Sequence, residues 1–209
     1  MKKVFKLYEE LFALHGKQGW WPIQGVYDGR LPNKKEQLEI CIGAILTQNT
    51  SWVNVEKALA QLSGKIHEKA LRMPQEKLAV LIKPAGYFNQ KAKKIHCFLD
   101  FLASKKEVDR ENLLAVWGIG PETVDSMLLY AYQQPYFVVD AYTKRILEHY
   151  KIIKAHASYE EVQNLFHKEL PRDVELFKEY HALFVAHAKK YYSKKPYGIG
   201  DPLLGDFKK

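Results

Sequence analysis

The segment Val116–Arg145, VWGIGPETVDSMLLYAYQQPYFVVDAYTKR, constrains this chain more than any other, because it sets two helix starts and the tight turn before the first of them. Gly118 and Gly120 give the backbone freedom to turn sharply, and Pro121 suits the first position of a following helix, where its missing N–H costs nothing. Such a turn leaves amides unpaired at the helix start, around Ile119, Gly120 and Thr123. Amides so placed hold a phosphate oxygen without reading base sequence. An apolar helix and the extended stretch 135–139 come next, and Asp140 opens another helix about twenty residues after the turn. Gly-x-Gly between helices is a common turn and Asp a favoured N-cap, so each alone has a purely structural explanation. Their order, with an apolar helix between them, is what points to function.

Apolar residues recur at helical spacing in almost every segment, beginning with Val4, Leu7, Tyr8, Leu11, Phe12 and Leu14. Breaks fall at 16–33, Gly64, Pro74, 83–89, 118–120, 133–139 and after Tyr192, which predicts an all-α chain of roughly ten helices. Val138 and Val139 are strand formers, but no second run pairs with them to make a sheet.

At 209 residues the chain is long enough to bury a substantial core, as one domain or two small ones. A formal net charge of +8 suits a polyanionic partner, and equally suits ribosomal or membrane-surface proteins. Cys41 and Cys97 lie in apolar helical surroundings, so buried thiols, a reducing compartment and no disulfide are expected. The N-terminal MKKVFKLYEELFALHG is interrupted by Glu9 and Glu10 and does not read as a secretory signal. No apolar stretch approaches the roughly twenty residues that cross a bilayer. A cytoplasmic protein without a membrane partner is the expectation.

Val139, Asp140, Tyr142 and Arg145 fit a V-D-x-[HY]-x-x-R pattern, and VWGIGPET follows L-x-G-x-G-x-x-T with Val116 in place of the leucine. In these residues the chain resembles the helix-hairpin-helix DNA glycosylases of the endonuclease III superfamily, and the likeness runs nearly end to end. The resemblance implies that Asp140 is the catalytic carboxylate. It also implies two helical domains with a cleft between them. One would be discontinuous, residues 1–33 plus 137–209, and carry Asp140; the other, 34–136, would carry the hairpin. The implied partner is double-stranded DNA containing a damaged base, bound by a monomer, with a monovalent cation as a candidate ligand of the hairpin.

A glycosylase cannot reach the base–sugar bond inside the stack, so it extrudes the nucleotide into a pocket. Something must then fill the gap. Gln48, in ILTQNTS, stands where the superfamily places a gap-filling glutamine, and Tyr87, in PAGYFNQKAKK, stands on a loop where relatives carry a wedge. Their structural alternatives are a polar helix terminus and a loop aromatic packed on the core. Lys91, Lys93 and Lys94 are candidates for phosphates, or simply a solvated face.

For the base pocket, Trp20, Trp21 and Pro22 lie in a long loop, and Trp52 begins the helix after TQNTS. Both placements resemble the 3-methyladenine DNA glycosylase III branch, which has phenylalanine where this chain has Trp52. At least one of the loop tryptophans is expected to pin the loop onto the helices. An aromatic-walled pocket favours a cationic base, with stacking and cation–π terms worth roughly 1 to 3 kcal/mol. N-alkylated purines are cationic, and their glycosidic bond is weakened by that charge. Lys189, in FVAHAKKYY, matches a lysine near the pocket in the same branch, and by base rate is a solvated charge.

Two absences refine the expectation. Bifunctional relatives carry a lysine two residues after the second hairpin glycine, and its amine forms a Schiff base. Here that residue is Glu122, which implies a monofunctional enzyme; Lys144 and Lys189 are amines elsewhere. Relatives also hold an iron–sulfur cluster through a C-x6-C-x2-C-x5-C tail. Laid on that tail, YYSKKPYGIGDPLLGDF places Tyr191, Gly198, Asp201 and Phe207 at the ligand positions, so no cluster is expected, and packing of Tyr191, Tyr192, Tyr197, Leu203 and Phe207 must hold the tail unless it frays. His181 and His187 lack a metal-binding pattern and read as surface or core polar residues. The expected activity is excision of alkylated purines, 3-methyladenine above all. The alternatives are an endonuclease III-like glycosylase for oxidised or mismatched pyrimidines, and a hairpin module that binds distorted DNA without cutting.

Overall fold

The computed structural model describes residues 3–27 and 29–207, apart from the side chain of Asp206. Among them are the helices α1 (Lys3–His15), α2 (Lys34–Thr47), α3 (Trp52–Gln61), α4 (Glu68–Leu71), α5 (Gln75–Leu81) and α6 (Phe88–Ala103). They are followed by α7 (Arg110–Leu114), α8 (Pro121–Ser126), α9 (Ala141–His149), α10 (Tyr159–Glu169), α11 (Val174–Tyr191) and α12 (Leu204–Phe207). A 3₁₀ turn, Lys83–Ala85, joins α5 to α6, and a π-helical stretch, Met127–Ala131, continues α8. The protein is all-α, as its periodicity predicts; the extra helices are short ones, such as α4 and α12, that a period of 3.6 cannot register.

Two compact units emerge. One comprises the described residues within Met1–Pro22, Tyr27–Gly29 and Gln134–Lys209; the other comprises Ile23–Val26 and Arg30–Gln133. The division falls a few residues before the expected 33/34 and 136/137, and at the first of these the reason is local. The Arg30 guanidinium pairs with both Glu36 carboxylate oxygens at 2.9 and 2.7 Å, and the Gln24 N–H donates to Glu39 Oε1 at 3.1 Å. These contacts attach the loop residues to α2.

In the second unit α2 is the central element. Asn33 and Glu36 close a capping box at its start, and Ile40 to Leu46 are all buried, the pattern of a helix surrounded by others. It packs on α3, α6, α8 and the π-helical stretch. Cys41 lies wholly inside, where burial pushes its thiol up to about 12, whereas Cys97 is only half-buried.

The first unit is built on aromatic packing. Phe137 stacks on Phe166 at 3.7 Å between centroids, and Tyr180 stacks on Phe184 at 4.7 Å. On α1, Val4, Leu7 and Leu11 share the buried face, and Tyr180 donates to the Val4 carbonyl at 2.7 Å. The extended segment before Asp140 needs no partner strand at Phe137 and Val139, because side chains of α10 meet its backbone there. Phe137 N–H donates to His167 Nε2 at 3.0 Å, the Phe137 carbonyl accepts from Gln163 at 2.8 Å, and Val139 N–H points to the Tyr159 hydroxyl at 3.4 Å.

The tail after α11 is packed rather than frayed. Tyr150 and Tyr192 hydroxyls donate to Asp201 Oδ2 at 2.8 and 2.7 Å, Leu203 N–H donates to Oδ1 at 3.0 Å, and His187 Nε2 lies 3.2 Å away. Phe207 stacks on Tyr150 at 5.2 Å. His187, readable from sequence as a surface or a core residue, is core. An iron–sulfur cluster needs thiolates, and Tyr191, Gly198, Asp201 and Phe207 provide none. With the Asp201 carboxylate already engaged by four partners, these positions do not suit a cluster.

Candidate functional site

The hairpin turn separates the roles of its two glycines. Gly118 has φ +78°, and a Cβ there would come within 2.7 Å of Lys94 Cε and 2.8 Å of Lys94 Cγ. Gly120 has φ −96° and ψ 176°, ordinary extended backbone, and a Cβ there would meet no described atom within 4 Å. The expectation that both glycines serve the turn is therefore corrected: the chain's own conformation requires only Gly118. Gly120 is the N-cap of α8 and brings no capping side chain, while Ile119 is buried beneath the turn. Glu122, just beyond, is exposed.

Gln48, the C-cap of α2, is tied to this turn. Its Nε2 donates to the Gly118 carbonyl at 3.2 Å and to the buried Thr123 hydroxyl at 2.9 Å, and its Oε1 accepts from Lys94 Nζ at 2.5 Å. Beside it Tyr87 projects into solvent, 67% exposed, with left-handed backbone at φ 45° that a bulky residue rarely adopts. Gln48, Asn49, Tyr87, Gln90, Lys91 and Lys94 line a shallow cleft of about 150 Å³. Lys93 is exposed and its amine lies over the Trp117 ring at 4.2 Å from the centroid. Lys91 is not the phosphate ligand its neighbours suggest, since its side chain is buried.

In the other unit Asp140 caps α9. Its Oδ1 accepts from Thr143 N–H at 2.7 Å and from the Thr143 hydroxyl at 2.8 Å, so Thr143, itself buried, holds the carboxylate from one side. Oδ2 stands 3.8 Å from His181 Nε2 on α11, and the Asp140 side chain keeps 16% of its surface exposed. Burial lowers the His181 pKa, and the Asp140 charge partly offsets this. Sequence alone leaves His181 as an unassigned polar residue, and only the packing of α11 against α9 brings it to Asp140. Arg145 reaches the tail instead, donating to the Tyr192 carbonyl at 2.7 Å with its guanidinium 4.3 Å from the Tyr197 ring centroid.

The aromatic loop of that unit divides its labour as well. Trp21 and Pro22 are buried, whereas Trp20 keeps part of its ring in solvent, edge-on to Trp21 at 5.6 Å and 5.7 Å from Tyr27. Lys189 is exposed on α11, and Lys144 donates to the Ala157 carbonyl at 2.9 Å. Trp52, half-buried, belongs to the hairpin-bearing unit at the start of α3.

A glycine turn opens one helix, and a capped, partly exposed aspartate stands at the start of the next, the order of a helix-hairpin-helix protein. Residues 42–172 match the model of the HhH-GPD superfamily of base excision DNA repair proteins, and the chain belongs to that family. A protein of Methanocaldococcus jannaschii, provisionally described as a DNA repair glycosylase, is 41% identical over 92% of this chain and 90% of its own length. A solved 3-methyladenine DNA glycosylase of H. pylori, bound to 1,N6-ethenoadenine, superposes with a TM-score of 0.76 at 26% identity, covering 90% of this chain and 97% of that one. An endonuclease III–DNA complex shares the fold at a TM-score of 0.81 and 18% identity, over 98% and 93% of the two chains. Among the described residues no helix is long and apolar enough to cross a membrane.

Proposed function

We propose that this chain is a monofunctional DNA glycosylase that flips alkylated purines, 3-methyladenine in particular, out of duplex DNA and excises them by hydrolysis. The observation that carries this is the disposition of Asp140: Oδ1 is held by Thr143, while Oδ2 has His181 Nε2 3.8 Å away, and the Asp140 side chain keeps 16% of its surface exposed. In this role Asp140 stabilises the oxocarbenium-like sugar as the glycosidic bond breaks, and orients or deprotonates the attacking water. An alkylated purine leaves with its own positive charge, so little help from a general acid is needed.

The hairpin amides around Gly120 hold a backbone phosphate, and Gln48 and Tyr87 fill the space the nucleotide vacates. Trp20 offers the exposed part of the WWP segment for stacking against the extruded base, with Trp52 and Lys189 as the remaining candidate pocket residues. The Gly118 carbonyl carries one hydrogen bond and keeps a lone pair, which suits a monovalent cation beside the phosphate. Glu122 stands where an imine-forming lysine would be needed, so the product is an intact abasic site. A monomer working in the cytoplasm is part of the same proposal.

Support for the lesion class comes from the H. pylori enzyme, whose bound ligand is a modified adenine. The test is identification by mass of the bases released from methylated duplex DNA and from duplexes carrying single oxidised or mismatched pyrimidines. Release of 3-methyladenine is expected. Release of pyrimidines alone would move the activity to the endonuclease III type, and binding without any release would make the chain a recognition module.

A further inference from the structure

Lys91 begins the lysine-rich stretch KAKK on α6, yet its side chain is 1% exposed. Its ammonium donates to the Leu46 carbonyl at 2.8 Å and to the Ala85 carbonyl at 2.8 Å. Both acceptors are helix-end carbonyls that no longer have an amide partner ahead of them, one in the last turn of α2 and one closing the 3₁₀ turn. A cation suits both ends. Leu46 lies two residues before Gln48, and Ala85 lies two residues before Tyr87. One buried amine therefore ties together the backbone roots of two side chains from segments far apart in sequence, Tyr87, which projects into solvent, and Gln48, which is bonded to the hairpin turn.

We propose that Lys91 is a positioning residue that makes the Gln48 turn and the Tyr87 turn one two-pronged wedge. This rests on the reading of the chain as a base-flipping glycosylase. A wedge must resist the tendency of the stack to close, and two turns able to move separately would yield where a joined pair would not. The left-handed backbone at Tyr87, which has to be held by its surroundings, sits at one end of this tie. The cleft beside the two turns is lined by Lys91 together with Gln48, Asn49, Tyr87, Gln90 and Lys94.

The experiment compares binding to an intact duplex with binding to a duplex holding one abasic-site analogue, whose gap the wedge would fill. Lys91→Met keeps most of the stem and leaves both carbonyls without the amine. It should lower the preference for the abasic duplex by about tenfold while leaving intact-duplex affinity within about twofold, because removing a charged hydrogen-bond partner is worth about that much. A folded Lys91→Met protein that keeps the wild-type preference for the abasic duplex, or that weakens on both duplexes equally, would overturn the proposal.

A second measurement does not depend on that variant folding. With Lys91 in place, the losses from Gln48→Ala and Tyr87→Ala should be less than additive in the double variant, as for residues that act as a unit. Additive losses overturn the joined wedge. A wild-type chain that prefers the abasic duplex with coupled prongs yet releases no base keeps the wedge and refutes only the glycosylase. A wild-type chain with no preference for the abasic duplex refutes both.

Discussion

His181 Nε2 faces Asp140 Oδ2 across 3.8 Å, on the side of the carboxylate that Thr143 leaves open. Burial lowers the pKa of this imidazole below its ordinary value of 6.5, so the ring is neutral at pH 7 and brings no positive charge to the carboxylate beside it. His181→Gln should lower single-turnover excision by about tenfold with substrate affinity nearly unchanged. The linkage has a definite sign. A His whose folded pKa is depressed adds stability that is complete above pH 6.5 and is lost as pH falls toward the folded value. Urea denaturation of His181→Gln across that window should show a weaker loss on acidification than the wild type.

The two hairpin glycines should part company under substitution. Gly118→Ala forces a side chain into left-handed backbone and against Lys94, and should cost about 1 kcal/mol of stability or more, measured by thermal melting. Gly120→Ala meets no described atom within 4 Å and should leave the melting temperature unchanged. Its affinity for duplex DNA should nevertheless fall by about tenfold, because the added methyl occupies the approach of a backbone phosphate. Unchanged affinity in Gly120→Ala would remove the phosphate from the hairpin.

Asp201 should act as the fastening of the tail. Hydrogen bonds from Tyr150, Tyr192, His187 and Leu203 outweigh burial and hold its carboxyl down to about 2 from an ordinary 3.8. Since the folded pKa is the lower one, this stability is complete above pH 3.8 and disappears as pH falls through about 2. Its size is about 2 kcal/mol, and Asp201→Asn should lose about that amount at neutral pH in chemical denaturation. A variant as stable as the wild type would show that packing of Phe207 and Leu203 alone holds the tail.

No covalent adduct should form when the protein acts on lesion-bearing DNA in the presence of borohydride. Glu122 is a carboxylate and Lys144 is engaged with the Ala157 carbonyl. A trapped protein–DNA species on a denaturing gel would place a lyase amine in this chain after all.

The hairpin and Asp140 are legible in the sequence because their signals are local. A glycine at positive φ, a proline at a helix start and an aspartate at an N-cap each answer to the backbone within a few residues. Lys91 and His181 are not legible, since each depends on partners that the fold alone supplies. Nothing in KAKK distinguishes the lysine that turns inward to Leu46, 45 residues away, from the two that follow it. Arg145 is visible as a motif residue, but its attachment to the Tyr192 carbonyl depends on where the tail returns. Gly120 passes in sequence for a second turn glycine, and only its φ and the open space around it reveal that the turn does not need it.

The most direct measurement is single-turnover release of free 3-methyladenine from methylated duplex DNA by Asp140→Asn. Asparagine caps a helix as well as aspartate and can still accept the Thr143 hydrogen bonds, so the fold and duplex affinity should be kept. Release should fall by about a hundredfold or more, because the anion that meets the developing sugar cation is gone. An Asp140→Asn protein that binds the duplex and frees the base at the wild-type rate would contradict the assignment outright.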